Sequence, residues 1–410
     1  MTETAAVEHP LTRRQGWVLA LVATFTMAIS YLDRQVLAVL APTVTKALEI
    51  SETNYGFLVA AFSVAYLFGS PIAGRWIDRY GARQGLLVAV LLWSIAAGSH
   101  ALAAGFGSMF MLRIWLGLAE SPSFPGAAQT VQRALAPMDR PRGLGVLFTG
   151  SSLGGMLAPP IANTINRVMD WRAAFLFTAV VGLIWVPLWL WVTRSSVVRE
   201  LLTPRQEVQH VSPWACLKER TVWRAIAAVL ALAPTVAFGL LWGSKLLVAR
   251  FGIEQSKTTP YLIVPALLFD LGAVLYGDLA ARRFKRLGPN PEGPRALFAV
   301  ALLTTWCLAL AVLGNNAWLT VILIGLSAMG AGGMMALLTG HVLQRVHPSV
   351  VSATGGITAA AQSLAYIVVN PAIGASVDAT KSYDLAMIAI PAWGMVGGLV
   401  WLFMSEGESK

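Results

Sequence analysis

Charged residues are scarce in this chain and make up only 12% of its 410 residues. A soluble domain ordinarily carries about 25% charged residues, so the shortage argues against a soluble globular fold. Hydrophobic residues instead account for 56% of the sequence, and the mean hydropathy is +0.66. The composition therefore predicts an all-α polytopic membrane protein whose outer surface contacts lipid.

Cysteine is nearly absent too, since the chain contains only Cys216 and Cys307. Two cysteines this far apart provide neither a disulfide framework nor a metal-binding spacing. The sequence also offers no catalytic constellation. We therefore expect a protein that uses no metal or organic cofactor and is not an enzyme.

Long apolar runs fill most of the chain, and most of them exceed the roughly 20 residues that a helix needs to cross a bilayer. Twelve runs are found, at residues 17–41, 56–77, 85–104, 108–132, 143–166, 173–193, 223–249, 259–281, 295–314, 317–342, 350–377 and 384–404. The first follows Arg13 and Arg14, as in a signal peptide, but it is longer than the usual ~7–15 apolar residues. We interpret it as a retained first helix.

Basic residues are divided unevenly between the loops. The net charge of +10 would suggest nucleic-acid binding in a soluble protein. Here the basic residues gather in every second loop, for example at Arg79 and Arg83, at Arg140 and Arg142, and between Arg282 and Arg286. By the positive-inside rule these loops and both termini are cytoplasmic, so the charge reflects topology and we expect no nucleic-acid partner.

The longest polar connection divides the twelve spans into two sets of six. It covers residues 194–222 and contains Pro204 and Pro213. We predict an N-terminal six-helix bundle over residues 1–193, a cytoplasmic linker over 194–222 and a C-terminal six-helix bundle over 223–410. This organisation is typical of a pseudosymmetric transporter that binds its substrate between the halves, near the middle of the membrane.

The loop after the second span carries a recognisable motif. It reads Gly74-Arg75-Trp76-Ile77-Asp78-Arg79-Tyr80-Gly81-Ala82-Arg83 and matches G-x-x-x-D-R-x-G-x-R at every defined position. We expect Gly74 to permit close helix packing, Gly81 to form a tight turn, and Asp78 to pair with a base or a helix end. Arg79 and Arg83 would anchor this gating motif on the cytoplasmic side. This motif resembles the loop motif of the major facilitator superfamily. The resemblance implies 12 transmembrane helices in two pseudosymmetric bundles.

Four ionisable residues interrupt the first and fourth spans, namely Asp33, Arg34, Arg113 and Glu120. A charge in the middle of a membrane helix costs about 2.5–3.5 kcal/mol, so it persists mainly where it is paired or reaches water. At 1.5 Å per residue, Arg113 lies about 8 Å deep, Asp33 about 15 Å and Glu120 about 18 Å from the outer side. Pairing of Arg113 with Asp33 or Glu120 is therefore plausible, and it would leave Arg34 free for a ligand.

The residues around these charges narrow the resemblance. They include Tyr31-Leu32-Asp33-Arg34-Gln35, Leu116-Gly117-Leu118-Ala119-Glu120, Ser121-Pro122-Ser123-Phe124-Pro125, Trp171-Arg172, Trp242-Gly243-Ser244-Lys245 and Phe269-Asp270-Leu271-Gly272. This set resembles the anion:cation symporter family and its bacterial hexuronate-transporter branch. The resemblance implies proton-coupled import of an organic anion by alternating access, most of all a sugar acid such as a hexuronate or aldonate.

The resemblance also implies roles for individual residues. Arg34 would hold the substrate carboxylate. Asp33 and Glu120 would bind the protons that drive transport, and Arg113 would be the base that couples with them. Further substrate contacts are expected from polar residues of spans two, five, eight and eleven, namely Tyr66, Ser151, Asp270 and Asn370. The partners of this carrier would be the organic anion, protons and the bilayer, and we expect a monomer in a bacterial inner membrane.

Other functions stay open at this point. One alternative is that Asp33 and Arg113 form a static salt bridge whose only role is to fix the packing of the helices. The glycine-rich fifth span, residues 150–160, partly resembles a motif of drug exporters. Exchange of a monocarboxylate or another organic anion and drug-type proton antiport are therefore alternatives. Two further alternatives are a transporter coupled to sodium and a membrane sensor that transports no substrate.

Overall fold

The computed structural model describes residues 10–203, 217, 219–288, 294–346 and 351–404. Regular secondary structure in these ranges is entirely helical, because in lipid the backbone N–H and C=O groups must bond within the chain itself. Ten helical segments are long and apolar enough to cross a membrane, and one of them, Glu52–Leu102, holds two crossings. With the fourth span, which is broken into two shorter helices, they give the twelve crossings that the sequence predicts.

The first half contains six crossings. Its helices are α1 (Arg13–Val39), α2 (Ala41–Ala47), α3 (Glu52–Ser99), α4 (Phe106–Glu120), α5 (Ser123–Ala134), α6 (Arg140–Val168), α7 (Trp171–Val192) and α8 (Ser196–Leu201). The two arms of α3 meet at Gly81, whose φ of 82° and ψ of 156° suit glycine alone. The chain folds back there, so that Ile77 packs against Gly85. The tight turn predicted at Gly81 is confirmed.

The fourth span differs from the continuous helix that the sequence predicts. α4 ends at Glu120 and α5 begins at Ser123. Pro122 lies between them and has no backbone N–H to donate, so it interrupts the helix. The hydroxyl of Ser121 donates to the carbonyl oxygen of Leu118 (2.7 Å) and bonds one of the carbonyls freed at the break. Glu120 therefore sits at a helix end inside the membrane.

The second half also contains six crossings. Its helices are α9 (Arg220–Ala237), α10 (Gly243–Phe251), α11 (Thr259–Leu287), α12 (Arg295–Thr304), α13 (Cys307–Leu310), α14 (Ala317–Arg345), α15 (Val351–Thr380) and α16 (Asp384–Phe403). A π-helical turn at Phe238–Trp242 joins α9 to α10 in the seventh span. Such turns widen a helix locally and are frequent at functional sites.

The two halves meet on one side only. We call this side the closed face and define it by the connections at residues 48–51, 100–105, 169–170, 252–258, 314–316 and 381–383; the opposite side is the open face. Among the described residues, the hydrogen bonds and ion pairs that join the halves all lie between the closed face and the middle of the bundle.

Helices α3 and α15 form the tightest junction of the closed face. A side chain at Gly56 would collide with the carbonyl of Asn370, and one at Gly374 with the carbonyl of Glu52. The carboxylate of Asp378 accepts a hydrogen bond from the backbone N–H of Thr53 (2.8 Å), so α15 caps the first turn of α3 across the two halves. This closure depends on glycine, since any larger residue would hold the helices apart.

Toward the open face the halves separate. Apart from the local backbone of its own helix, no described atom lies within 4 Å of the position that a Cβ of Gly74 would occupy, and the same holds for Gly355 and Gly356 on α15. The expectation that Gly74 serves close helix packing is therefore wrong for this conformation. The physical reason is that the helices separate toward the open face, so that no described neighbour from another helix reaches Gly74.

The predicted linker can be followed only in part. Residues 204–216 and 218, among them Pro204, Pro213 and Cys216, lie outside the described residues. The preceding helix α8 belongs with the first half, because the guanidinium of Arg133 donates to the carbonyl of Leu201 (3.3 Å). The boundaries at residues 193 and 223 stay a prediction.

Candidate functional site

Arg34 and Glu120 form an ion pair in the middle of the molecule. The Nε of Arg34 donates to Oε2 of Glu120 at 2.6 Å, and the hydroxyl of Ser30 donates to the same oxygen at 2.7 Å. Ser30 and Arg34 are four residues apart on α1, so both side chains face α4. Glu120 is fully buried, whereas the side chain of Arg34 is 18% exposed. The pair therefore has one member inside the protein and one at its inner surface.

Three aromatic rings hold the guanidinium of Arg34. Its central carbon lies 4.9 Å from the ring centre of Tyr31, 4.8 Å from that of Phe62 and 4.7 Å from that of Tyr66. Contacts of this length are cation–π interactions, and they fix the plane of the guanidinium as well as its position. Tyr66, which the family resemblance assigned to the substrate site, thus lies directly beside Arg34.

Asp33 points the other way, into the core of the first half. It is 2% exposed, and neither of its carboxylate oxygens has a hydrogen-bond partner among the described residues. The hydroxyl of Thr178, which faces it from α7, donates to the carbonyl of Phe175 (3.1 Å) instead. The neighbouring positions 33 and 34 thus differ in environment because successive helical residues are rotated by about 100°.

Arg113 is also buried, at 3% exposure, and its Nε and Nη2 find no hydrogen-bond partner in the described ranges. Both acids lie within its electrostatic range, but no ion pair within 4.0 Å joins it to Asp33 or Glu120 in the part of the chain that the structure describes. The expected pairing of an acid with Arg113 is therefore wrong for this conformation. One reason is distance along the helix, because Glu120 lies about 10 Å further along α4 than Arg113. Glu120 forms its ion pair with Arg34 on α1 instead.

The second half lines the opposite side of the site. Asp270 on α11 is partly exposed, and its Oδ1 accepts a hydrogen bond from the hydroxyl of Ser152 on α6 at 2.9 Å. The adjacent Ser151 faces the hydroxyl of Tyr31. The ring of Tyr31 in turn stacks on the guanidinium of Arg34. Two of the predicted contact residues, Ser151 and Asp270, are thus brought to the same region as Arg34.

Sequence reasoning missed two residues of this region. Tyr366 on α15 lies within electrostatic range of Arg34 and Tyr31, and the side-chain amide of Gln362 donates to its hydroxyl at 3.4 Å. Both are partly exposed, like Tyr31 and Asp270. Their spacing of four residues on an apolar helix was the available signal, since it places two polar groups on one face. We call the region bounded by Tyr31, Arg34, Tyr66, Ser151, Asp270, Gln362 and Tyr366 the central space.

Asn370 does not offer a free polar group to the central space. It is fully buried, its Oδ1 accepts from the indole N–H of Trp242 (2.9 Å), and its Nδ2 donates to the carbonyl of Tyr366 (2.8 Å). The second bond ties the side-chain amide to the backbone of its own helix, one turn before the amide's own position. The contact predicted from this residue to substrate therefore has no support in this conformation.

The gating motif contacts only its own half among the described residues. Asp78 accepts from the side-chain amide of Gln129 on α5 (3.3 Å), and Arg83 donates to the hydroxyl of Thr193 (3.1 Å). Arg79 stacks near Tyr80, at 5.6 Å from its ring centre. The motif thus braces the turn at Gly81 against α5 and the end of α7.

Metal-ligand clusters are not found in the described ranges, where no three His, Cys, Asp or Glu side chains come together. The acids of the site instead face arginines, hydroxyls and aromatic rings. What the arrangement can do is bind an anion at Arg34 and exchange protons at buried carboxylates.

Comparison with known proteins identifies relatives that are named as transporters. The sequence model of the Major Facilitator Superfamily matches residues 23–370. The hexuronate transporter of Bacillus subtilis (strain 168) is 28% identical over 384 residues, covering 90% of this chain and 89% of that protein. The hexuronate transporter of Escherichia coli (strain K12) is 24% identical over 404 residues, covering 94% and 92%.

Solved structures agree on the fold. A bacterial homologue of the human lysosomal transporter Spinster, in an inward-facing and unoccupied conformation, superposes with a TM-score of 0.75 at 18% identity, covering 97% of this chain and 96% of that one. A point mutant of the nucleoside transporter NupG gives a TM-score of 0.74 at 14% identity, covering 94% and 99%. At such identities the likeness concerns the fold alone.

Proposed function

The chain belongs to the major facilitator superfamily, and from that premise we propose that it is a proton-coupled symporter that imports a sugar acid by alternating access. Membership makes it a multi-pass membrane transporter and not an enzyme. Several relatives are named for hexuronates, galacturonate or D-galactonate, which are hydroxylated acids with one carboxylate, and one is named a probable galactarate/D-glucarate transporter. A sugar acid of this type is therefore the proposed substrate.

The observation that carries the proposal is the ion pair of Arg34 with Glu120. A substrate carboxylate needs the same guanidinium that Glu120 occupies at 2.6 Å. Protonation of Glu120 removes its charge and weakens this pair, so that Arg34 becomes available to the anion. Loss of the proton restores the pair and displaces the anion. Proton binding and substrate binding thus favour each other, which is the linkage that a symporter requires.

Asp33 and Arg113 form the second part of the proposed coupling. An ionised acid that finds no hydrogen-bond partner in the described chain is costly in a membrane protein, and so is a guanidinium with two such nitrogens. We infer that Asp33 also takes up a proton during the cycle and that Arg113 balances its charge when the proton leaves. In this way Arg113 stays a coupling base although it does not bond either acid here.

The closed face is the external side in this proposal. Basic residues gather on the open face, which by the positive-inside rule is cytoplasmic, and α1 begins and α16 ends on that side. The conformation is then open to the cytoplasm, with Arg34 already returned to Glu120. A bacterial inner membrane and a monomeric carrier are proposed with it, as is the division into bundles 1–193 and 223–410 joined by residues 194–222.

The gating motif would close the open face in the other half of the cycle. Gly74 has free space beside it here and Gly81 keeps the turn compact. We propose that Gly74 makes its close helix contact only when the open face is shut. Asp78, Arg79 and Arg83 would hold the loop in place while this happens.

Uptake into proteoliposomes tests the proposal. The full chain would be reconstituted, a pH gradient imposed with the acidic side outside, and labelled galacturonate offered. We expect accumulation above equilibrium that collapses with a protonophore. Glu120→Gln removes the titrating group and keeps the side-chain shape, so it should abolish accumulation and leave exchange of labelled for unlabelled substrate.

Glu254→Gln is the matched control, because Glu254 is exposed at the closed face and forms its ion pair with the neighbouring Lys257 (3.2 Å). It should accumulate substrate like the unaltered protein. Accumulation by Glu120→Gln would refute the assignment of the proton to this residue. Uptake that follows a sodium gradient and ignores pH would refute proton coupling.

A further inference from the structure

Asp270 is an acid that the proposed proton cycle does not use. It lies in the middle of α11, eleven residues from the end at Thr259, and it is partly exposed to the central space. Its Oδ1 accepts from Ser152, which belongs to the other half. A carboxylate in the middle of a membrane span is costly, so its presence there calls for a function.

The same space connects Asp270 to the anion-binding arginine. Ser152 and Ser151 are neighbours on α6, and Ser151 faces the Tyr31 ring that stacks on Arg34 at 4.9 Å. Asp270 and Arg34 are thus connected through two serines and a tyrosine. A ligand that spanned from Arg34 to Asp270 would meet a cation at one end and an anion at the other.

No basic side chain neutralises Asp270 among the ion pairs of the described residues. Lys245 is bound to Glu52 at the closed face (3.0 Å). Arg282, on the same helix as Asp270, pairs with Asp278 (2.7 Å) and lies twelve residues further on, or about 18 Å along the axis. The partner found for the Asp270 carboxylate is the neutral hydroxyl of Ser152.

We propose that Asp270 makes this transporter selective for monoanionic polyhydroxy acids and excludes acids that carry a carboxylate at both ends. The substrate would place its carboxylate on Arg34 and donate from hydroxyls near its other end to Asp270, in exchange for the bond from Ser152. This inference rests on the proposed function, since it assumes that a sugar acid occupies the central space.

The chemistry of the two ends explains the selectivity. An ionised carboxylate can only accept hydrogen bonds, and hydroxyl groups of a uronic or aldonic acid are donors. A second carboxylate on the ligand has nothing to donate and would repel Asp270. Discrimination then comes from a repulsive contact with the wrong ligand as well as from an attractive contact with the right one.

Competition against the unaltered protein gives the first test and needs no variant. Uptake of labelled galacturonate into proteoliposomes would be measured with unlabelled galacturonate, galactarate and galactarate monomethyl ester as competitors at pH 7. Galactarate carries two negative charges and its monomethyl ester one. We expect the ester to compete at least tenfold better than galactarate. Equal competition by the two would overturn the inference.

The variant Asp270→Asn gives the second test. The amide keeps the shape, removes the charge and can donate, so galactarate should gain at least fivefold on galacturonate as a competitor. Asp278→Asn, two turns further along α11 and paired at the surface, is the matched control and should leave the ratio unchanged. An unchanged ratio in Asp270→Asn would overturn the inference.

The two proposals fail in different ways. If the unaltered protein takes up no sugar acid, both the proposed function and the selectivity are wrong. If it takes up galacturonate but galactarate and its ester compete equally, only the role of Asp270 is wrong. If Asp270→Asn does not fold, the competition measured on the unaltered protein still decides.

Discussion

The polar groups of the two halves differ in how completely they are paired within the described ranges. In the core of the first half, Asp33, Arg113 and Glu120 are buried and each keeps at least one polar atom without a hydrogen-bond partner there. In the second half, Asn370 uses both ends of its amide, and Lys245 bonds Glu52 and Thr45 of the first half. The first half thus keeps buried charged groups with unbonded polar atoms, whereas Asn370 and Lys245 of the second half are bonded and hold structure.

This difference matters because buried polar groups are expensive to leave unpaired. Each one costs about 1–3 kcal/mol, and more when it is charged. Such groups persist in a membrane protein mainly where a ligand or a proton relieves them during function. In the proposed function, substrate and proton binding therefore fall mostly to the first half, and closure of the site mostly to the second.

The largest effect should follow from Arg34→Lys. Lysine keeps the charge but loses the planar group that contacts Glu120 and the three aromatic rings, and it cannot bind a carboxylate through two parallel bonds. We expect galacturonate uptake to fall about a hundredfold, which corresponds to about 2.7 kcal/mol. Initial rates in proteoliposomes would measure this.

Arg282→Lys is the control for that change, because Arg282 is exposed and forms its ion pair with Asp278 on the same helix. It should transport like the unaltered protein. Uptake by the Arg34→Lys protein within threefold of the unaltered protein would contradict this comparison of the two halves. The charged core of the first half would then not be what binds the anion.

A smaller effect is expected where the halves join. Lys245→Met removes the ion pair with Glu52 and the bond to Thr45, and so weakens the closed face. Amide hydrogen exchange in residues 52–58 and 370–378 should become about tenfold faster, as expected for a loss of about 1.4 kcal/mol.

Arg250→Met serves as the matched control for the junction. Arg250 lies on the same face and pairs with Asp384 (2.9 Å), but both residues belong to the second half. Exchange in residues 52–58 should not change in this variant. If both variants accelerate exchange there equally, the pair of Lys245 and Glu52 has no special role in joining the halves.

Asn370→Ala tests the claim that the second half uses its amide for structure. It leaves the buried indole N–H of Trp242 without its partner, which costs about 1–3 kcal/mol. We expect a lower Tm in detergent, while KM for galacturonate changes less than threefold. The exposed Asn315→Ala is the control and should leave Tm unchanged. A large rise in KM without loss of Tm would place Asn370 among the substrate contacts after all.

A local effect concerns the turn of the gating motif. Alanine at position 81 would have to adopt φ of 82° and ψ of 156°, a conformation that costs an L-residue about 1–3 kcal/mol. Gly81→Ala should lower Tm by a few degrees. Gly145→Ala, within helix α6 and with no described atom within 4 Å, should not lower it. Equal Tm values for the two variants would mean that the turn bears no strain.

Much of the fold could be predicted from sequence because hydropathy and charge act locally. Apolar runs of sufficient length predict the twelve crossings, and the direction that the basic loops predict for them stays a prediction. The breaks inside spans were harder to predict. Pro122 was visible, but whether a proline kinks or ends a membrane helix depends on the neighbours that satisfy its freed carbonyls.

The candidate site was predictable in its members and less so in its contacts. Asp33, Arg34, Arg113 and Glu120 stand out because each is costly where it is. Which arginine pairs with Glu120 depends on the rotation and height of α1 relative to α4, and a depth estimate along one helix contains neither. The polar face of α15 at Gln362 and Tyr366 was missed for a related reason, since it matters only once that helix faces Arg34.

The sequence by itself determined that this chain lies in a membrane, that it crosses twelve times in two halves, and that charge is concentrated in the first. These properties follow from the free energy of placing each residue in lipid or water, which depends little on the rest of the fold. The tertiary structure alone decided that Arg34 bonds Glu120, that Asp270 bonds Ser152 of the other half, and that the bonds found between the halves in the described ranges lie between the closed face and the middle of the bundle. Such contacts between distant residues are fixed by how the helices pack, and several packings are compatible with the same pattern of apolar spans.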